Sequence, residues 1–259
     1  MIKYISNKFY NFLDGLSKGV TLLYQTLLYM FKPPIDVKNI IDQLFEIGAR
    51  SFPVTALTSF SVGMVLALQS GSSAISVLNE PLYVGTIVAF SIVKELGPVL
   101  AAVVVTGRVG AAITAEIGTM KVTEQIDALR TLGTNPIKYL AVPRFISLVI
   151  MLPLLTAVSN VISILGGFIV GVYKLDIPST IYWADTLDFM DIEDLFHGLI
   201  KSVCFAMIIA LVSCHKGFEC HGGAEGVGRA TTSSVVTVLV LILVSDYFLS
   251  AILVAMGIG

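Results

Sequence analysis

Long apolar runs separated by short polar segments dominate this chain, and their lengths predict membrane-spanning helices. A hydrocarbon core about 30 Å thick requires about 20 helical residues for each crossing. About five runs are long enough, over residues 51–70, 82–113, 145–173, 196–215 and 230–256. Of the 259 residues, 56% are hydrophobic and only 13% are charged, whereas about 25% are charged in a soluble domain. The pattern therefore predicts an all-α integral membrane protein.

The residues before the first run have a different pattern. Apolar residues recur at intervals of three and four in 8–31, which is typical of an amphipathic helix. Two placements stay open for this helix: the cytoplasmic membrane surface, or packing against the protein's own spans. After two prolines, Asp36 is suited to cap a second amphipathic helix that ends near Arg50. We therefore divide the chain into N-terminal interfacial helices, residues 1–50, and a transmembrane domain, residues 51–259.

The distribution of charge predicts the orientation in the membrane. Lys and Arg are concentrated in residues 1–50 and 108–144, whereas residues 174–200 are strongly acidic. Because basic segments near membrane spans stay in the cytoplasm, we expect the first two regions inside and the acidic region outside. Five spans then place the N-terminus in the cytoplasm and the C-terminus outside.

Besides Arg108, which falls at the cytoplasmic boundary of the second span, four charged residues lie within the predicted spans: Lys94, Glu95, Lys201 and Asp246. A charge inside a bilayer is costly unless it is paired or hydrated. The residues alone leave three interpretations open. The charges neutralise one another and hold helices together, or they form a hydrated polar site beside an apolar cavity that would suit an amphipathic substrate. The third interpretation is proton coupling through Glu95 or Asp246.

Residues 114–138 are too polar to cross a membrane, and they predict a short cytoplasmic helix between spans two and three. The sequence TEQIDALRTL begins at Thr123 with residues typical of a capped helix start. Gly133 follows its last apolar residue and is suited to end it.

Two other patterns raise chemistries that the spacing does not support. The segment GGAEGVGRAT resembles a phosphate-binding loop, but Arg229 and Ala230 stand where Lys and Ser or Thr are required. Four residues of metal-binding type lie nearby, at Cys214, His215, Cys220 and His221. Their spacing does not match that of common zinc or haem sites. We therefore expect a turn between spans four and five, with no metal site and no catalytic residues.

The segment 94–144 resembles the MlaE (YrbE-like) family of ABC transporter permeases. The resemblance rests on KELGPVLAAVVVTGRVGAAITAEIGTMKVTEQIDAL followed by NPIKYLAVPR, and it continues in PLLT, IKSVCFA and GVGRATT further along the chain. It implies a permease subunit of an ATP-driven transporter that moves glycerophospholipid between the inner membrane and a periplasmic MCE carrier. This transport would maintain the lipid asymmetry of the outer membrane.

The same resemblance implies partners and a location. The permease would form a homodimer in the cell inner membrane, with two cytoplasmic ATPase subunits, an external MCE ring protein and often a STAS-domain protein bound to the ATPase. ATP and Mg²⁺ would be bound by the ATPase, so this chain would hold no cofactor. A nucleic-acid partner is not expected.

The resemblance also assigns residues by position. The lipid pocket between the two permease copies would involve Leu66, Gln69, Lys94, Glu95 and Ile146. A coupling helix over Glu116–Leu132 would face the ATPase, with the contacting residues Glu116, Thr123, Glu124, Gln125, Asp127 and Leu129. Two alternatives remain for the function: an ion-coupled secondary transporter that uses Glu95 and Asp246, and a membrane scaffold that transports nothing.

Overall fold

The structure, a computed structural model, describes residues 17–33, 36–78, 83–188 and 190–257. Within these ranges the chain forms helices and short turns, without a β-strand. Five helical segments in the described chain are long and apolar enough to cross a membrane: Val37–Ala74, Val84–Val122, Ile137–Lys174, Ile192–Phe218 and Gly223–Ala255. The predicted all-α membrane protein with five spans is confirmed.

We number the helices in chain order. They are α1 (17–30), α2 (Val37–Gly48), α3 (Phe52–Leu78), α4 (Val84–Val122), α5 (Gln125–Thr131), α6 (Ile137–Lys174), α7 (Ser179–Asp188), α8 (Ile192–Phe218) and α9 (Gly223–Ala255). Two π-helical turns interrupt α4, at Ile92–Leu96 and Thr106–Gly110, and a third begins α6 at Ile137–Ala141. Such turns are frequent at functional sites.

Two helices extend beyond their predicted ends. The second span was expected to end near residue 113, but α4 continues to Val122 because Ile117 and Gly118 are buried. The last span was expected to begin near residue 230, but α9 begins at Gly223. At Gly226 a Cβ atom would lie 1.8 Å from the carbonyl oxygen of His221. Because α9 begins at Gly223, most of the glycine-rich segment is helical, and the turn before it is confined to residues 219–222.

Contacts between Cα atoms divide the chain into two compact units. The first unit comprises the described part of Met1–Phe45 together with Thr106–Leu148 and Met207–Val240. The second comprises Glu46–Val105, Val149–Ala206 and the described part of Leu241–Gly259. Each unit combines segments that are distant in the sequence.

In the second unit, α3 and α6 pack through small residues. A Cβ atom at Gly63 would lie 1.8 Å from the carbonyl oxygen of Ser163, and one at Gly166 would lie 2.4 Å from that of Phe60. The Ser163 hydroxyl donates to the carbonyl of Ser59 at 2.8 Å. Small residues of this kind allow two helix backbones to approach closely in a membrane.

The acidic segment of the second unit contains a helix, α7, that the sequence did not predict. Its Tyr182 is fully buried and donates from its hydroxyl to the carbonyl of Ile164 at 3.3 Å. Burial raises the pKa of this hydroxyl well above its ordinary value, so it stays protonated as a donor. The ring also packs edge-on against Phe168. These contacts fix α7 against its own unit.

In the first unit, α1 buries one side and exposes the other. Leu22 and Thr26 are buried, whereas Val20, Tyr24 and Phe31 are exposed. Packing against the protein therefore leaves an apolar stripe on the outer side, so the packed placement holds and contact with a membrane stays a prediction. Residues 8–16 of the predicted helix lie outside the described residues.

The start of α2 follows the sequence prediction. The Asp36 carboxylate accepts a hydrogen bond from the backbone N–H of Asn39 at 3.2 Å, which confirms the predicted cap. The helix ends at Gly48, and a turn follows through Arg50.

Candidate functional site

A buried lysine joins three helices of the second unit. Lys201 of α8 is completely buried, and its Nζ lies 2.5 Å from Glu95 Oε2 on α4 and 3.0 Å from Asp246 Oδ1 on α9. The Ser250 hydroxyl donates to the other oxygen of Glu95 at 3.1 Å. Lys201 and its two carboxylates therefore agree with the first interpretation, in which these charges neutralise one another between helices.

Lys94 has a partner that the sequence did not suggest. Its Nζ lies 2.8 Å from Asp194 Oδ1 on α8, and both side chains are nearly buried. It also lies 3.8 Å from the centre of the Phe90 ring. Mutual neutralisation allowed either Lys94 or Lys201 to pair with Glu95 or Asp246; in the structure Lys201 pairs with both, and Lys94 pairs with Asp194 instead.

The missed residue had a signal in its spacing. Asp194 precedes Lys201 by seven residues, which is two helical turns, so both lie on one face of α8. The acidic composition around Asp194 obscured this register, because it placed the residue in an external loop. The adjacent residues Lys94 and Glu95, in the π-helical turn of α4, then divide between these two partners.

A cavity of about 530 Å³ in the second unit opens onto these charges. It is lined by Phe90, Ser91, Lys94, Glu95, Leu96, His197 and Val254. Phe90, Leu96 and Val254 contribute apolar surface to the lining, and polar side chains of α4 and α8 contribute the rest. The combination can hold a molecule that carries an anionic group on an apolar body, because each part then meets a surface of its own kind.

The other predicted lipid-binding residues do not line this cavity. Leu66 is half-buried against the core of the second unit, and Gln69 is exposed. Ile146 belongs to the first unit and is half-buried there. Of the five predicted residues, the structure brings Lys94 and Glu95 together in the cavity, and the roles of the other three stay predictions.

The predicted coupling helix consists of two helices. The chain breaks at Glu124, which has a left-handed backbone (φ 61°) and precedes α5. Thr123 is not the cap of α5, because its hydroxyl donates backwards to the carbonyl of Thr119 at 2.8 Å and so completes the end of α4. The expectations of a Thr123 cap and of one continuous helix over Glu116–Leu132 are therefore wrong.

The end of α5 agrees with the prediction. Gly133 has a positive φ of 75°, and its N–H donates to the carbonyl of Arg130 at 3.0 Å. The N–H of Thr134 donates to Leu129 at 3.0 Å. This pair of hydrogen bonds is the Schellman motif, in which glycine is favoured because it adopts a left-handed conformation without strain.

The surface of α5 exposes polar side chains around one buried anchor. Thr123, Glu124 and Gln125 are exposed, whereas Ile126 is buried. Asp127 forms ion pairs with Lys121 at 3.1 Å and with Arg130 at 3.2 Å. The helix is thus fixed to its unit and presents its polar start outward.

The remaining predicted contact residues are Glu116 and Leu129. Glu116, on α4, accepts from Arg144 at 2.7 Å, and Leu129 is half-buried. The contact of these residues with an ATPase stays a prediction.

The Cys and His residues near the fourth span are dispersed among other contacts. Cys214 and Cys220 are buried free thiols. His215 Nε2 lies 3.3 Å from Glu219. Across the described ranges, no group of three or more His, Cys, Asp or Glu side chains is arranged to hold a metal ion.

Comparison with known proteins identifies the family. A sequence profile described as "Permease MlaE" matches residues 40–252. A probable ABC transporter permease protein of Rickettsia typhi is 49% identical over 241 residues, which cover 92% of both chains. Proteins with the same description in Synechocystis sp. and Pyropia yezoensis are 41% and 37% identical, over 87% and 92% of this chain and 86% and 90% of theirs. The chain belongs to the MlaE family of permeases and is a multi-pass membrane subunit of an ABC transporter.

Proposed function

We propose that this permease moves glycerophospholipid between the inner membrane and a periplasmic MCE carrier, driven by ATP hydrolysis in partner subunits. The observation that carries the proposal is the cavity of about 530 Å³, in which Lys94 faces the same space as Phe90 and Val254. A phospholipid has the matching composition, since it joins an anionic phosphate to apolar acyl chains.

The pairing of Lys94 supports a mechanism for binding. Asp194 holds the ammonium group at 2.8 Å, and the Phe90 ring stabilises it from one side. A phosphate that enters the cavity competes with Asp194 for the ammonium group. Lipid binding would therefore loosen the connection between α4 and α8, which couples occupancy to helix movement.

Membership of an ABC permease family replaces the two alternatives left open by the sequence. An ABC permease works with ATPase subunits, so neither an ion-coupled transporter nor a passive scaffold is required. Glu95 and Asp246 are then assigned to neutralisation of Lys201, which both contact.

The proposed assembly follows the family resemblance. The permease forms a homodimer in the inner membrane, with its N-terminus in the cytoplasm and its C-terminus in the periplasm. Two ATPase subunits, which bind ATP and Mg²⁺, contact the exposed start of α5 at Glu124 and Gln125. An MCE ring protein binds on the periplasmic side, and a STAS-domain protein binds the ATPase.

The test is phospholipid bound to the purified complex, measured by mass spectrometry. Lys94→Gln removes the cation that meets the phosphate, so bound phospholipid should fall about tenfold, the loss expected for one charge-assisted hydrogen bond. Asp194→Asn removes the competing carboxylate and should keep or raise the bound lipid. Lys174→Gln, at the exposed end of α6, is the control and should bind normally.

The double variant Lys94→Gln/Asp194→Asn separates recognition from folding. It contains no unpaired charge, so it should be as stable as the wild type yet remain poor in lipid. Normal lipid content in this variant would contradict the assignment of Lys94 to the phosphate. Lipid transfer to an MCE protein that continues without ATP would contradict the proposed transport cycle.

A further inference from the structure

The first unit contains a cavity near the end of α1 and the start of α2. It has a volume of about 540 Å³ and is separate from the residues that line the Lys94 cavity. Its polar lining residues are Tyr29, Lys32, Asp36, Thr134, Asn135, Lys138 and Tyr139. Four segments thus contribute: the end of α1 with the turn after it, the start of α2, the turn between α5 and α6, and the start of α6.

The two lysines of this cavity are not neutralised. Lys32 is exposed and Lys138 is half-buried, and neither forms an ion pair with any carboxylate in the described ranges. Asp36 is the one acidic residue in the lining, and its carboxylate already accepts the capping hydrogen bond of α2 at 3.2 Å. The described lining therefore has two lysines and one carboxylate, which gives it a net positive charge.

A neighbouring cavity of the same unit provides a contrast. It is also surrounded by basic residues, but each of them has an acidic partner. Lys18 lies 3.2 Å from Glu219, and Lys121 and Arg130 lie 3.1 and 3.2 Å from Asp127. An anion there would have to displace a carboxylate, whereas no carboxylate of the described residues forms an ion pair with Lys32 or Lys138.

Exposed apolar side chains are adjacent in the chain to the lining residues Lys32, Asp36 and Ile40. Phe31 is 76% exposed, next to Lys32, and Val37 and Ile41 are 59% and 57% exposed on one face of α2. Amphipathic helices with basic residues beside such a face lie at the boundary between membrane and water. Tyr29 and Tyr139 add the aromatic side chains that are enriched at this depth.

We infer that this cavity binds the phosphate headgroup of an anionic phospholipid. Lys32 and Lys138 would contact the phosphate, and the acyl chains would lie along Phe31, Val37 and Ile41. Basic pockets beside membrane helices on the cytoplasmic side bind anionic headgroups in this way. The lipid comes from the cytoplasmic leaflet, which follows from the proposed orientation. It anchors the N-terminal helices and is distinct from the transported lipid.

The experiment is photolabelling of the assembled complex with a photoactivatable phosphatidylglycerol, followed by peptide mapping. We expect adducts in peptides that contain residues 29–41 and 134–143. The double variant Lys32→Gln/Lys138→Gln should reduce this labelling about 25-fold, since each basic residue near an anionic surface contributes about fivefold. Adducts near Phe90 and Val254, from the proposed transport cavity, should be unchanged.

The matched control removes two charges elsewhere. Lys38→Gln/Lys174→Gln changes the net charge equally, and both lysines are exposed and outside the cavity. Equal loss of labelling in the control would overturn the site, because it would show attraction by overall charge.

Two further results would also overturn the inference. One is equally strong labelling by a photoactivatable phosphatidylcholine, whose headgroup has no net charge. The other is displacement of the label by inorganic phosphate at constant ionic strength, which would indicate a site for a soluble anion. A wild-type complex labelled at residues 29–41 and 134–143 but not near Phe90 and Val254 would contradict the proposed function and would still support this site.

Discussion

The two units of the permease use their ion pairs differently. In the second unit, Lys201 and Lys94 are buried and contact carboxylates from other helices, more than 40 residues away in the case of Asp246. In the first unit, Asp127 joins Lys121 and Arg130 within ten residues of chain, and these side chains are 24 to 64% exposed. The buried pairs of Lys201 and Lys94 therefore connect helices, whereas the exposed pairs of Asp127 support one local turn. We therefore expect disruption of a buried pair to lower the free energy of unfolding more than disruption of an exposed pair.

The largest effect is expected from Lys201→Met. This change leaves Glu95 and Asp246 close together without their cation, and removal of one partner of a buried pair costs about 3–5 kcal/mol. The melting temperature of the detergent-solubilised permease should fall sharply. The triple variant Lys201→Met/Glu95→Gln/Asp246→Asn removes all three charges and should recover most of the loss. No recovery would show that Lys201 stabilises the unit by its shape.

Asp194→Asn should have the next largest effect. The amide keeps one oxygen that can accept from Lys94, and the Phe90 ring still faces the ammonium group. We therefore expect a loss of about 2 kcal/mol, typical of a charged hydrogen bond replaced by a neutral one. Glu193→Gln is the matched control, since this adjacent carboxylate is exposed. An equal fall in melting temperature for both variants would contradict the contact with Lys94.

Arg144→Gln tests an intermediate case in the first unit. The Arg144 side chain is 9% exposed, and it donates to the Leu140 carbonyl at 2.9 Å and to Glu116 at 2.7 Å. Its loss should cost about 1–2 kcal/mol. Glu116→Gln should cost less than about 1 kcal/mol, because Glu116 is 55% exposed and water solvates it. The reverse order of the two melting temperatures would contradict this asymmetry.

The sequence predicted those features that depend on local chemistry. Apolar runs longer than a bilayer crossing identified the five spans. Asp36 and Gly133 were recognised because helix caps depend on one residue and its immediate neighbours. The resemblance of residues 94–144 to a permease family also placed Lys94 and Glu95 in one site, and both line the cavity.

The sequence did not predict the features that depend on a contact with another helix. Asp194 was assigned to an external loop because Lys94, its partner, is 100 residues away in the chain. The extension of α4 to Val122 depends on burial of Ile117, which a local hydropathy window does not detect. Thr123 has the composition of a helix cap but completes the preceding helix, since its hydroxyl reaches Thr119. Local propensity is therefore a weak guide wherever two helices meet at one residue.

The smallest change in stability is expected from Asp127→Asn, which tests whether the exposed ion pairs serve docking. Its contacts to Lys121 and Arg130 are solvated, so the free energy of unfolding should change by less than about 1 kcal/mol.

If α5 contacts the ATPase as proposed, loss of the Asp127 carboxylate changes the position of Arg130 and the charge beside Glu124. ATP-driven lipid transfer in reconstituted complexes should then fall while the melting temperature stays the same. The control is Glu46→Gln, which removes an exposed carboxylate of α2 that pairs with Arg50 in the turn after the helix. Unchanged transfer in Asp127→Asn and in Glu124→Gln would reject α5 as the coupling element, because a docking contact cannot lose its charge complementarity without effect.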